Sequence, residues 1–197
     1  MRLESGGRAE IHLSGGVTLH VRESGALGAP SRVAGTVGWE RDGGRSYWTV
    51  VPGGGVEEWL EFDEGVAYGD PPAARWTVEG ATLRALEETG GVHVLGPDGA
   101  ALAYVSAPRA WTVDGNDVSA SLRVDGDRIT LHVDARGRRV LVDPIWVATG
   151  SLGTARYLAE GPNIAVPVSG GILMPGGAGP ASALASVERY DIATGVW

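Results

Sequence analysis

The chain contains no cysteine and no lysine, so all 16 of its basic residues are arginine. The first absence removes thiol nucleophiles, disulfides and thiolate metal sites. The second removes Schiff-base chemistry and the phosphate-binding lysine of a P-loop. Missing disulfides leave the compartment open, because a domain of this size can rely on its hydrophobic core. Long helices are disfavoured by 32 glycines and 11 prolines in 197 residues, since inside a helix glycine costs about 1 kcal/mol and proline about 3 relative to alanine. The glycines follow no Gly-X-Y period, which excludes collagen. No segment approaches the roughly 20 apolar residues of a membrane helix, so no membrane insertion is expected. The opening MRLESGGRAE has no signal-peptide core. If the protein is exported, its signal is expected upstream of residue 1, or the start site is misassigned. A formal charge of −8 repels nucleic acid and anionic lipid, both of which are bound through clustered arginine and lysine.

What the sequence does contain is short runs of alternating apolar and polar residues, the period-2 signature of half-buried strands. Ile11 and Leu13, then Val17, Leu19 and Val21, flank Ser14-Gly15-Gly16 and predict a hairpin. Val92 to Leu95 and Leu102 to Val105 flank Gly96-Pro97-Asp98-Gly99 and predict another. A third has Val118, Ala120, Leu122 and Val124 leading into an Asp125-Gly126 turn, with Ile129, Leu131 and Val133 beyond it. Further strands are expected at Ser46 to Val51, Val56 to Phe62, Arg75 to Val78, Ala81 to Leu86 and Arg138 to Val142. A strand about every ten residues reads as all-β, an antiparallel sandwich or barrel-like domain. After Val142-Asp143-Pro144-Ile145-Trp146 charge density falls and Gly, Ala, Ser and Pro dominate. A boundary is therefore expected near residue 147, between a module over 1–147 and a second segment over 148–197.

The second segment resembles a Kelch repeat, whose length is about 50 residues. Gly176-Gly177 matches the double glycine of that motif, after the apolar Ile172-Leu173-Met174. Tyr190 and Trp197 stand at its aromatic spacing, and Arg156 fits its basic residue. The sequence departs from the pattern in a longer approach through Gly161-Pro162-Asn163 and in Pro175, which removes a backbone donor just before the glycines. The resemblance implies a partial β-propeller blade, and a chain stopping at Trp197 is expected to be a fragment of a longer product, because closed propellers need about four to eight blades. In the front segment, Val56-Glu57-Glu58-Trp59-Leu60 and Leu141-Val142-Asp143-Pro144-Ile145-Trp146 look like a β-rich module that precedes repeats in large bacterial surface proteins. Rhs-type wall-associated proteins and Kelch-bearing myxobacterial proteins carry such modules. The resemblance implies a structural role and a secreted or cell-surface location.

Several groups invite a chemical reading. Glu57, Glu58, Glu61, Asp63 and Glu64 suggest an acid/base pair or a calcium site; alternation puts Glu57 and Glu61 on the face of Trp59, with Glu58 opposite, and the set reads more simply as a solvated acidic face and its loop. Asp114-Gly115-Asn116-Asp117 and Asp125-Gly126-Asp127 have oxygen ligands that suit calcium, yet Asp and Asn belong in turns for their own hydrogen bonding. His12, His20, His93 and His132 lie on alternating strands without metal-ligand spacing and are expected at outward positions. Gly150-Ser151-Leu152-Gly153 lacks the strand-to-helix context of a phosphate loop and reads as a linker. Trp39, Trp48, Trp59, Trp76, Trp111 and Trp146 suit either a core or a carbohydrate platform.

The expected function is a non-enzymatic structural or interaction module of a bacterial Kelch-repeat surface protein, with no catalytic residue, metal or cofactor and with a protein or a carbohydrate as partner. Two alternatives stand beside it: a fragment of a galactose-oxidase-like propeller enzyme, or a small carbohydrate-binding β domain. The copper chemistry of the former uses a tyrosine linked to a cysteine, which this chain cannot supply.

Overall fold

The computed structural model describes residues 1–33, 36–51, 55–97, 99, 101–149, 165–178, 183–191 and 197. The described residues are all-β, 64% of them in strands or bridges, far above the 20–25% of an average globular protein, and among them the antiparallel sheets do not close. An open pair of sheets leaves the sandwich, rather than the barrel, of the two expected arrangements. The smaller sheet holds β1 (Arg2–Glu4), β2 (Arg8–His12), β3 (Thr18–Ser24), β8 (Ala74–Val78), β14 (Arg128–Asp134) and β13 (Ser119–Asp125), in the spatial order β1-β2-β3-β8-β14-β13.

The larger sheet runs β4-β5-β6-β7-β16-β11-β10-β9. Its strands are β4 (Ala26–Val33), β5 (Thr36–Arg41), β6 (Gly44–Val51), β7 (Gly55–Phe62), β9 (Thr82–Ala85), β10 (Val92–Leu95), β11 (Ala101–Val105) and β16 (Ile145–Ala148). A side branch adds β15 (Val140–Asp143), which pairs with β7, and β12 (Arg109–Thr112), which pairs with β15. Pro144 has no N–H to give to a ladder, so the run Val140 to Ala148 breaks there into two strands along one edge of β7. The backbone N–H of Glu58 donates to Pro144 O across the break at 3.1 Å.

The predicted hairpins are present. In the first, β2 and β3 pair around Ser14–Gly16. The second pairs Val92 with Val105. In the third the turn lies one residue later than expected: Asp125 pairs with Arg128, and Gly126-Asp127 form the two-residue loop. Gly126 sits at φ +61, the left-handed conformation required at the first central position of a type II′ turn.

One apolar core lies between the two sheets. Ile11, Leu19, Val21, Trp76, Ile129 and Leu131 enter it from the smaller sheet, and Trp39, Trp48, Val56, Leu60, Phe62 and Trp146 from the larger. The indoles form a continuous row, with Trp39 and Trp48 centroids 6.4 Å apart, Trp48 and Trp146 6.1 Å, and Trp146 and Trp76 6.3 Å. Four of the six tryptophans that suited either a core or a platform are thus core residues. The sandwich runs to at least Thr149, whose N–H donates to Leu102 O.

A separate three-stranded antiparallel sheet comprises β17 (Val166–Val168), β18 (Gly171–Pro175) and β19 (Val187–Asp191), with β18 central. Gly176 and Gly177 follow β18 at φ +62 and +102, where the chain leaves the sheet. Pro175 ends the central strand opposite Val187. Tyr190 pairs with Ile172, and its ring lies 5.3 Å from that of Trp197. Arg156 and the Gly150–Gly153 linker lie outside the described residues. Among those described, no helix is long and apolar enough to cross a membrane.

Candidate functional site

The strand β7 carries most of the acidic candidates and sorts them by alternation. Val56, Glu58, Leu60 and Phe62 point into the sandwich, and Glu57, Trp59 and Glu61 point out. Asp63 and Glu64 follow in an exposed loop. The expectation of a solvated acidic face therefore fails for Glu58, which is fully buried. The cause is non-local: β7 is covered by β6 on one side and by β15 and β16 on the other, and the smaller sheet closes over its inner face.

Glu58 belongs to a sealed polar cluster in the middle of the tryptophan row. Arg41 Nη1 donates to Glu23 Oε1 at 2.9 Å, Ser46 Oγ to Glu23 Oε2 at 2.8 Å and Trp48 Nε1 to the same oxygen at 3.4 Å. Arg41 also reaches Ala73 O at 3.1 Å, and its guanidinium lies 5.1 Å from the Phe62 ring. Trp76 Nε1 donates to Glu58 Oε1 at 3.1 Å, whereas Glu58 Oε2, Arg41 Nε and Trp146 Nε1 have no hydrogen-bond partner.

Burial raises the pKa of Glu23, against the opposing effects of the Arg41 charge and the bonds from Ser46 and Trp48. Burial and then the charge of Glu23 push Glu58 well above the carboxylate range, with the hydrogen bond from Trp76 and the charge of Arg41 pulling the other way. Burial thus favours the protonated form of Glu58 over the ionised one. The cluster ties the two sheets together, because Glu23 and Trp76 come from the smaller sheet and Arg41, Ser46, Trp48 and Glu58 from the larger. At 2%, 6% and 0% exposure for Glu23, Arg41 and Glu58, it offers nothing to a ligand.

The residue reading missed Glu23 and Arg41. A signal was available: Glu23 continues the inward series Leu19, Val21, and Arg41 continues the inward Trp39.

The two remaining tryptophans of that set meet on the outer face of the larger sheet. Trp59 from β7 and Trp111 from β12 are half-buried and stack with centroids 6.4 Å apart and planes inclined by 26°. Tyr47 is paired beside Trp59, and the Arg109 guanidinium lies 4.9 Å from the Trp111 ring. The intervening β15 adds Leu141, opposite Trp111, and Asp143, opposite Arg109. Beside Trp111 an open groove of about 500 Å³ is lined also by Glu61, Val113, Arg139 and Leu141. Arg139 and Glu61 form an ion pair in its lining.

Asp143 Oδ1 is buried and has no hydrogen-bond partner. Burial, then the charge of Glu57, raises the Asp143 carboxyl to about 6, and Arg109 opposes the shift. Its ionisation therefore places a charge near the Trp59–Trp111 pair as pH rises through about 6. Intrinsic fluorescence followed from pH 4 to pH 8 should contain a component with a midpoint near that value, absent in Asp143→Asn. An identical profile in the variant would show that Asp143 is not the titrating group.

The other sequence candidates do not converge. His20 lies opposite Glu10, and His12 opposite Thr18, so neither faces the other directly across the hairpin. His132 alternates with the core residues Leu131 and Val133 and so faces away from the core as expected, but its side chain is only 10% exposed, with Nδ1 2.9 Å from Gly69 O, because the segment around Gly69 covers it. His93 lies against Tyr104, its pKa lowered by burial and then by Arg84. Among the described residues no three His, Asp or Glu side chains are grouped to hold a metal ion. A cleft of about 410 Å³ brings His93 and Tyr104 together with Tyr190, whose pKa is raised by burial, then by Tyr104 and Asp191. Comparison with family models, with curated proteins and with solved structures finds no match to this chain.

Proposed function

We propose that the chain is a non-enzymatic interaction module of a bacterial surface protein, in which the sandwich is the scaffold and the outer face of the larger sheet is the recognition surface. The observation that carries this reading is the clustering of Trp59, Trp111, Leu141 and Val113 on one face, the last two 37% and 71% exposed. Scattered exposed apolar residues need no explanation, whereas a contiguous apolar strip rimmed by charges marks a contact surface. The separate sheet β17–β19 fits the role of a Kelch blade. Its central strand ends at a left-handed glycine pair, and Tyr190 meets Trp197 at the repeat's spacing. The Kelch resemblance in turn argues for secretion or surface display.

The test is binding of the fluorescently labelled full chain to a panel of Gram-negative and Gram-positive cells, measured by flow cytometry. Saturable binding to at least one cell type is expected, and Leu141→Glu should reduce it about tenfold, the effect of losing a central contact residue. Binding that is nowhere saturable, or that is unchanged by a folded Leu141→Glu variant, removes the recognition face.

A further inference from the structure

We propose, building on that recognition face, that the groove beside Trp111 binds a neutral glycan. Its floor is apolar, supplied by Trp111, Leu141 and the 71% exposed Val113. Leu141 and Val113 offer apolar contact to the C–H face of a pyranose, beside a Trp111 ring held in place by Trp59 and Arg109. Its rim is polar and charge-balanced, because Arg139 is paired with Glu61 and Thr112 adds a hydroxyl. A guanidinium and a carboxylate side by side present donors and acceptors with no net charge to neutralise. That combination matches vicinal hydroxyls, which both donate and accept.

The same balance argues against an ion. A phosphate or sulfate would meet an arginine already committed to a carboxylate, in a chain of net charge −8. A cation would have to displace Arg139 from Glu61. A groove of about 500 Å³ lies in the range of small-ligand sites and accommodates one sugar or a short oligosaccharide.

The assignment is tested by native affinity electrophoresis of the full chain in gels containing hydroxyethylcellulose, a soluble β-1,3-glucan, galactomannan or xylan, with carboxymethylcellulose as the charged counterpart. At least one neutral polymer should retard the chain. Trp111→Ala should weaken that retardation roughly tenfold, as expected for an aromatic anchor. Val113→Glu, at an exposed position outside the core, should weaken it in the same direction while circular dichroism and the thermal midpoint stay at the wild-type values. Absence of retardation by all four neutral polymers overturns the proposal, as does retardation by the charged polymer alone or retardation of both variants equal to that of the wild type. Periodate treatment of the cells separates this failure from that of the recognition face. Cell binding that survives periodate but is lost in Leu141→Glu keeps the face and excludes the glycan.

Discussion

Replacing Arg41 with methionine should destabilise the sandwich by about 3–5 kcal/mol, the cost of leaving a buried charge without its partner. Arg41 is the cation facing Glu23 in the core, and it also closes onto Ala73 O. Removing it leaves Glu23 with only Ser46 Oγ and Trp48 Nε1 as donors, in a site where burial already opposes ionisation. Glu23 should then take up a proton on folding, so the loss should be smaller at pH 4 than at pH 8. Changing both partners, with Glu23→Leu added to Arg41→Met, should recover most of the loss, because no buried charge is left uncompensated and an apolar pair of similar volume is often neutral or better. Urea denaturation of the three variants at both pH values measures this. A single variant within 1 kcal/mol of wild type, or a double variant no better than the single, would mean that the pair does not hold the sheets together.

Glu58→Gln should act in the opposite direction and stabilise the protein at neutral and alkaline pH. In the folded chain the Glu58 carboxyl is held well above 4.5, by burial first and the Glu23 charge second, whereas in the unfolded chain it titrates near 4.5. Below about 4.5 both states carry the proton, and the residue contributes its full stability. As pH rises the unfolded chain releases its proton first, so stability falls until the folded-state pKa has been passed. The amide cannot ionise and can still accept the hydrogen bond from Trp76 Nε1. The variant should therefore match wild type near pH 4 and exceed it at pH 8 by more than about 1 kcal/mol, the net worth of an ordinary hydrogen bond. A shallower slope of the same sign should remain in Glu58→Gln, because burial also raises the pKa of Glu23. Thermal midpoints collected across that range decide it, and parallel curves for the two proteins would show that Glu58 is ionised in the folded state.

The strand character of this chain and its local pairings were legible in the residues themselves. Alternation has a period of two, and turns are set by the few residues that form them, so both are local properties. The pairing of Val92 with Val105 and the partnership of β13 with β14 follow from those signals. Strands such as β5 and β12 were not legible. Thr36–Arg41 mixes glycine and charge into its pattern, and Arg109–Thr112 is only four residues long. Even the clearest hairpin was one residue out at its turn, because Asp125-Gly126 and Gly126-Asp127 are both acceptable turn pairs and the ladder between β13 and β14 chooses between them.

The identity of the inside face was a matter for the tertiary structure. Alternation places Glu58 with Val56, Leu60 and Phe62, and Glu57 with Trp59 and Glu61, but both sets mix apolar and acidic residues. What decided the matter was the second sheet. It covered one face with Trp76 and Glu23, and so turned a glutamate expected in solvent into a buried one whose carboxyl is pushed towards its protonated form. The outer aromatic pair arose in the same way, since Trp59 and Trp111 meet only because β15 bridges β7 and β12. Which strands become neighbours depends on burying the whole apolar surface at once, and no single stretch of sequence carries that information.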